Sequence, residues 1–307
     1  MMILDSLFPV FALILLGILL KHYHLTGDVF LKASDRLVYY VFFPAMLFWK
    51  IGGASTVHAG VDLKYCLAAI CSVLSVYILS SSYIKVFDVE NFKAGSFSQS
   101  CYRFNTYIGM AVVLNALGEK GVALFGILIG FVIPVINILA VSTLIWFSGK
   151  HYNFRARMGV TAKELVLNPL IIACIAGMIY SRLSAGFPVF IDNALSLAAM
   201  VALPLALLSI GGSLTFKSLK HHLRLSLAAS AFKLLLFPAI GYFFLKIFSV
   251  TGITFQVVMI FFALPTSTAI YVLSSQLNSD TKYASSAIVL STCLSFLSLS
   301  AVLALFG

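Results

Sequence analysis

Runs of about twenty apolar residues alternate along this chain with short polar connections. A helix of about 20 apolar residues matches the hydrocarbon thickness of a bilayer. By that rule ten spans are predicted, at 3–20, 34–51, 63–84, 97–117, 121–147, 164–181, 194–214, 223–248, 255–276 and 281–306. The fold class that follows is all-α. A segment in lipid must satisfy its own backbone N–H and C=O groups, and a helix does so internally. The first run resembles a secretory leader in its apolar stretch. It lacks a basic start, however, carries Asp5 and ends in Lys21-His22 rather than small residues, so it reads as a retained span. The fifth run is long enough to tilt or to be interrupted, and Pro134 lies inside it.

Composition narrows the class further. Apolar residues make up 61% of the chain and charged residues 10%, with a mean hydropathy of +1.06. Soluble domains run at about 45–50% apolar and about 25% charged, which leaves little room for a soluble domain here. The net charge of +10 would point to nucleic acid in a soluble protein. Here the basic residues lie mostly in short connections and act as topology signals. Thirteen of the twenty Lys and Arg fall in one alternating set of loops and the span ends beside them, and five in the other; Arg103 and Lys233 remain, deeper inside spans. The richer side is expected to be cytoplasmic, which puts both termini on the non-cytoplasmic side of the cytoplasmic (inner) membrane. The most basic connection, SGKHYNFRARMGVTAKE, reads first as a topology anchor and second as a patch for lipid headgroups or a partner.

The pattern also repeats. A shift of 160 residues, without a gap, brings Pro9 onto Pro169, Gly17 onto Gly177, Pro44 onto Pro204 and Gly52 onto Gly212. The same register aligns Thr106 with Thr266. Each copy then holds five spans: 1–147 as the first repeat, 148–163 as a cytoplasmic linker and 164–307 as the second repeat. An odd number of spans makes the second copy enter from the opposite face. Such inverted repeats recur in secondary transporters, whose sites lie near the midplane at discontinuous helices.

Candidate chemistry sits at equivalent places in the two copies. The fourth span carries Arg103, Asn105, Thr106 and Tyr107, and the ninth carries Pro265, Thr266, Ser267 and Thr268. A charge at membrane depth costs about 2.5–3.5 kcal/mol on insertion scales, so Arg103 needs a partner or a purpose. Snorkelling, or neutralising a helix C-terminus, is the structural alternative. Pro265 removes a backbone donor and opens its helix; a simple kink healed by the hydroxyls is the alternative there. Helix N-termini at such breaks present N–H groups and a positive dipole end to a carboxylate. Arg103 would add a bidentate fork.

All ten carboxylates fall at span ends or in loops, so none offers a mid-span proton relay or cation ligand. This favours an anionic substrate and leaves coupling to Na⁺ or H⁺ open. Lys233 reads as a snorkelling or protein-facing lysine rather than a site residue. The six histidines lie near loops without metal-ligand spacing. The five cysteines are scattered without a CxxC, so no metal, cofactor or disulfide framework is expected.

These residues carry a resemblance. Arg103-Phe104-Asn105-Thr106, Asn168-Pro169-Leu170-Ile171, the stretch from Pro204 to Gly211 and Ala263-Leu264-Pro265-Thr266 resemble, in this order, the signatures of the auxin efflux carrier family. The resemblance runs through essentially the whole chain. It implies a ten-helix inverted-repeat fold in which spans 1, 2, 6 and 7 form a scaffold, while 3–5 and 8–10 form a moving transport domain. Spans four and nine would cross as broken helices, with Arg103, Asn105, Thr106, Pro265 and Thr266 at the crossing and Ser209 facing it from the scaffold. Phe104 stands where plant members have proline, which predicts a softer fourth-span break. The short connection between halves resembles the bacterial branch, whose substrates include malonate, malate and similar carboxylates.

The expected function is therefore secondary transport of small organic anions by alternating access. The expected partners are the anion and the lipid bilayer, with a homodimer as the candidate assembly. A channel-like uniporter or a membrane sensor on the same fold is the alternative. An intramembrane enzyme is disfavoured, because HExxH, paired intramembrane aspartates and acidic clusters are all missing from the sequence.

Overall fold

The computed structural model describes residues 2–53, 63–147, 166–183, 186–216 and 218–307. Among them the chain is helical, without a strand. The helices are α1 (Met2–His22), α2 (Asp28–Leu37), α3 (Phe43–Gly52), α4 (Lys64–Val86), α5 (Asn91–Tyr102), α6 (Thr106–Phe147), α7 (Pro169–Leu183), α8 (Val189–Ser213), α9 (Leu219–Ala231), α10 (Phe237–Ile247), α11 (Gly252–Ala263), α12 (Ala269–Gln276) and α13 (Thr281–Phe306). Six described helical stretches are long and apolar enough to cross a membrane: Ile3–His22, Lys64–Val86, Thr106–Phe147, Val189–Ser213, Leu219–Ile247 and Thr281–Phe306. The predicted linker at 148–163, with its basic run, lies outside the described residues.

Several predicted spans are composite. The stretch 34–51 starts inside α2 and passes through one π-helical turn, Val38–Phe42, before α3. The stretch 223–248 is α9, a second π-helical turn, Phe232–Leu236, and α10. Both π turns run into a Phe-Pro pair, Phe43-Pro44 and Phe237-Pro238. Proline brings no N–H to the ladder. In each case the preceding phenylalanine N–H reaches back five residues, to Val38 and to Phe232, which widens the turn. The fifth predicted span, 121–147, is uninterrupted, and the break in α6 falls at the predicted connection between spans four and five. Within α6 the non-helical residue is Gly118 (φ 64°, ψ −161°), a conformation glycine adopts without steric penalty, and the helix continues through Pro134.

The contacts divide the chain into two compact units. The first gathers Met1–Leu63, Tyr107–Phe131 and Val166–Leu214. In it α1 packs along α8, and α3 along α7. Small residues bring backbones together: a Cβ on Gly17 would collide with the Leu208 carbonyl, and one on Gly211 with that of Ile14. The second unit gathers Lys64–Thr106, Val132–Leu165 and Thr215–Gly307. In it α9 lies on α13, α10 on α4, and α5 on α4 and α13. Gly95 of α5 admits the side chain of Leu144 from the end of α6. Val141, Leu144 and Ile145 then form a buried cluster with Leu273 and Leu277.

Candidate functional site

Within the second unit, two helices stop and restart at the same place. Helix α5 ends at Tyr102; Arg103 is extended (φ −70°, ψ 138°), and helical geometry resumes at Thr106. Helix α11 ends at Ala263; Leu264 is extended (φ −65°, ψ 149°), and α12 begins at Ala269. The two extended pieces pair as a single antiparallel bridge between Phe104 and Thr266, in which the Asn105 N–H donates to the Pro265 carbonyl at 2.9 Å.

A broken helix leaves carbonyls at one end without intrahelical partners, and in an apolar surrounding each must find a donor. Here donors come from several elements of the unit. At the end of α5, the Arg103 N–H donates to the Gln99 carbonyl (2.9 Å) and the Thr266 hydroxyl to the Ser100 carbonyl (2.9 Å). At the end of α11, the Phe262 carbonyl accepts from Lys233 Nζ (3.0 Å) and the Ala263 carbonyl from the Ser298 hydroxyl (2.8 Å). The Thr266 N–H is taken by Ser291 Oγ at 3.1 Å. Lys233 is fully buried, which fits the protein-facing of its two expected placements and not the snorkelling one. Its Nζ donates to the open carbonyl end of α11 and lies 4.5 Å from the centre of the Phe237 ring.

Arg103 is 8% exposed. Its guanidinium donates through Nη2 to Asn137 Oδ1 (3.0 Å) and through Nη1 to Gln99 Oε1 (3.4 Å). Gln99 is held in turn, its Nε2 donating to the Gly95 carbonyl at 3.3 Å, which turns the amide oxygen toward the arginine. Helix α12 begins at this crossing, and its first N–H groups are taken locally: Ala269 by Ser267 Oγ, Ile270 by the Ser267 carbonyl and Tyr271 by the Thr268 carbonyl. A guanidinium beside such a break can pair with an anion.

The structure gathers Arg103, Asn105, Thr106, Pro265, Thr266, Ser267 and Thr268 in this one unit. Asn105 and Thr266 are each 1% exposed, whereas Thr106, Ser267 and Thr268 are partly exposed. The Ser267 hydroxyl accepts the Ala269 N–H (3.2 Å) and starts α12. The two remaining predicted residues belong to the first unit. Tyr107 packs edge-on against Phe43, with ring centres 4.7 Å apart. Ser209 donates to the Asp35 carboxylate (2.5 Å) and to the Leu31 carbonyl (3.3 Å). Gln99, Asn137, Lys233 and Ser298 were not predicted. Gln99 stands four residues before Arg103, the spacing at which side chains meet on a helix, and that signal was available. Asn137 and Ser298 are reached only through folding, at separations of 34 and 35 residues from their partners.

Known proteins place the chain. Residues 123–303 match the membrane transport protein family. An uncharacterized transporter of Methanocaldococcus jannaschii is 24% identical over 315 residues, covering 99% of this chain and 97% of the relative. An uncharacterized transporter of Methanothermobacter thermautotrophicus is 22% identical over 299 residues, covering 96% and 95%. With the motifs around Arg103 and Pro265 in the expected order, and several apolar helices of membrane-spanning length, the chain belongs to the membrane transport protein (auxin efflux carrier) family as a multi-pass membrane protein.

Proposed function

We propose that the chain is a secondary carrier of small organic anions, carboxylates such as malonate, malate or auxin-like acids, and that the anion binds at the crossing. The observation that carries this is the buried Arg103 guanidinium, held by two amide oxygens beside two helix breaks. Half-helix N-termini and a guanidinium both favour a carboxylate, and a midplane site at broken helices is how many secondary carriers bind substrate.

The proposed topology is ten spans as two inverted five-helix repeats, in the cytoplasmic membrane with both termini outside the cytoplasm. Several features support it. Helices α5 and α11 have 12 residues each and end in an extended residue. Helix α6, at 42 residues, is about 63 Å long at 1.5 Å per residue, twice a bilayer core, and it is broken at Gly118. The unit that contains the crossing is proposed as the moving transport domain and the other unit as the scaffold.

A thermal-shift titration of the purified chain tests the substrate class. Malonate, malate and a panel of mono- and dicarboxylates are each added with and without Na⁺, since a ligand that binds only the folded state raises the midpoint by mass action. Stabilisation by at least one carboxylate, absent with matched neutral amides, is the expected result. Stabilisation by organic cations or neutral solutes alone would remove the anion reading.

A further inference from the structure

Helix α2 carries two acids and two bases, and only the acids are engaged. Asp28 pairs with Lys21 of α1 at 2.9 Å, and Asp35 accepts the hydroxyl of Ser209. Lys32 and Arg36 stand four residues apart on one side of the helix, both exposed. Neither makes an ion pair or a hydrogen bond with the described residues; Lys32 adds only to the field at Asp28. Beside this pair runs an apolar strip. Phe30, Leu37 and Val41, spaced by seven and four residues, share a face and are 51%, 49% and 51% exposed. Leu31, Ser34 and Val38 turn inward instead. In a multi-pass membrane protein an exposed apolar strip faces lipid, and a basic pair near its start meets the headgroups.

We propose that this face of α2 is a binding site for an anionic phospholipid, with Lys32 and Arg36 on the phosphate and an acyl chain along Phe30, Leu37 and Val41. The charge pattern selects this occupant. A guanidinium and an ammonium one helical turn apart reach a single phosphate together, the arginine through its fork. The acids that would otherwise neutralise the pair are held by Lys21 and Ser209. A zwitterionic headgroup brings its own cation beside the two on the helix, which weakens the attraction. A second copy of the chain docked through the same face would set like charge against like. The inference rests on the placement of the chain in a membrane and is independent of the substrate read at the crossing.

The full chain, purified in a neutral detergent, is titrated with dioleoyl phosphatidylglycerol, with dioleoyl phosphatidylcholine or with glycerol phosphate, which is the headgroup without its chains. The thermal midpoint is read together with bound lipid by native mass spectrometry. A ligand that binds only the folded state raises the midpoint by mass action, so phosphatidylglycerol should stabilise the wild type at concentrations where the other two do not. Lys32→Gln and Arg36→Gln should each raise its half-saturating concentration about 5-fold, and the double variant about 25-fold. Lys85→Gln, at an exposed lysine ending α4, should leave it unchanged. Midpoints without lipid show that each variant folds, and the single variants carry the test if the double does not. Unchanged phosphatidylglycerol affinity in the folded variants overturns the inference, as does equal stabilisation by phosphatidylcholine. Stabilisation by glycerol phosphate to the same extent would make the pair a soluble-phosphate site and overturn the lipid assignment. Loss of a dimer mass in the variants at unchanged lipid affinity would give the face to a second copy instead.

Discussion

At the first break the chain leaves its helix for three residues, Arg103 to Asn105; at the second it does so for five, Leu264 to Thr268, with a proline among them. The first break opens without proline, so its N–H groups need acceptors. The Arg103 N–H has the Gln99 carbonyl and the Asn105 N–H has that of Pro265. At the second break Pro265 brings no N–H, and the end of α11 is closed by side chains from other helices, Lys233 and Ser298. The shorter break carries the formal charge, and the longer one carries hydroxyls and a backbone shape. On the proposed anion reading, a crossing built from one break of each kind would supply both a counter-charge and hydrogen-bonding hydroxyls.

Substitutions at the two breaks separate their roles. Lys233→Ala should have the largest effect on stability. It leaves the Phe262 carbonyl without its donor and opens a void, so the unfolding free energy should fall by about 3 kcal/mol. Thermal unfolding in detergent measures it, and a silent variant would mean that the end of α11 needs no cap. Thr266→Val removes the one hydroxyl that joins the breaks, to the Ser100 carbonyl. Hydrogen bonds inside membrane proteins are worth about 0.6 kcal/mol on average and up to about 1.7, and the loss should fall in that range.

Pro265→Ala should change stability by less than about 1 kcal/mol, because Lys233, Ser298 and the Asn105 N–H still hold the open geometry, much as the first break is held without a proline. A loss above about 2 kcal/mol would show that proline alone makes the second break. Outside both breaks, Asp28→Asn removes the exposed pair with Lys21 (2.9 Å). The Lys21 hydrogen bond and charge hold the Asp28 carboxyl below its usual range. Any stability from the pair is therefore present above the unfolded pKa and is lost as pH falls through the lowered one. Tm should move by no more than about 1 °C at neutral pH and not at all below that window.

Much of this was legible in the chain, because the bilayer forces long apolar runs and makes polar interruptions stand out. Arg103, Asn105, Pro265 and Thr266 stood out for that reason, and all four meet at the crossing. Helix ends were less legible. The window 97–117 averages over the extended residues 103–105 and hides that α5 starts at Asn91. Hydropathy likewise cannot report a π turn, which depends on where a proline withdraws its N–H. Lys233 shows the deeper limit: its residue type gives a charge in a span, but the carbonyl it caps is 29 residues away and exists only because another helix breaks. Asn137 is illegible for the same reason.

The most direct test of the crossing as an anion site is carboxylate flux into proteoliposomes by wild type, Arg103→Lys and Arg103→Gln at matched thermal stability. Saturable malonate or malate uptake is expected in the wild type, partial activity in the lysine variant, which keeps the charge but not the fork, and a fall in kcat/KM of about 100-fold or more in the glutamine variant. Equal flux from wild type and a folded Arg103→Gln would contradict it.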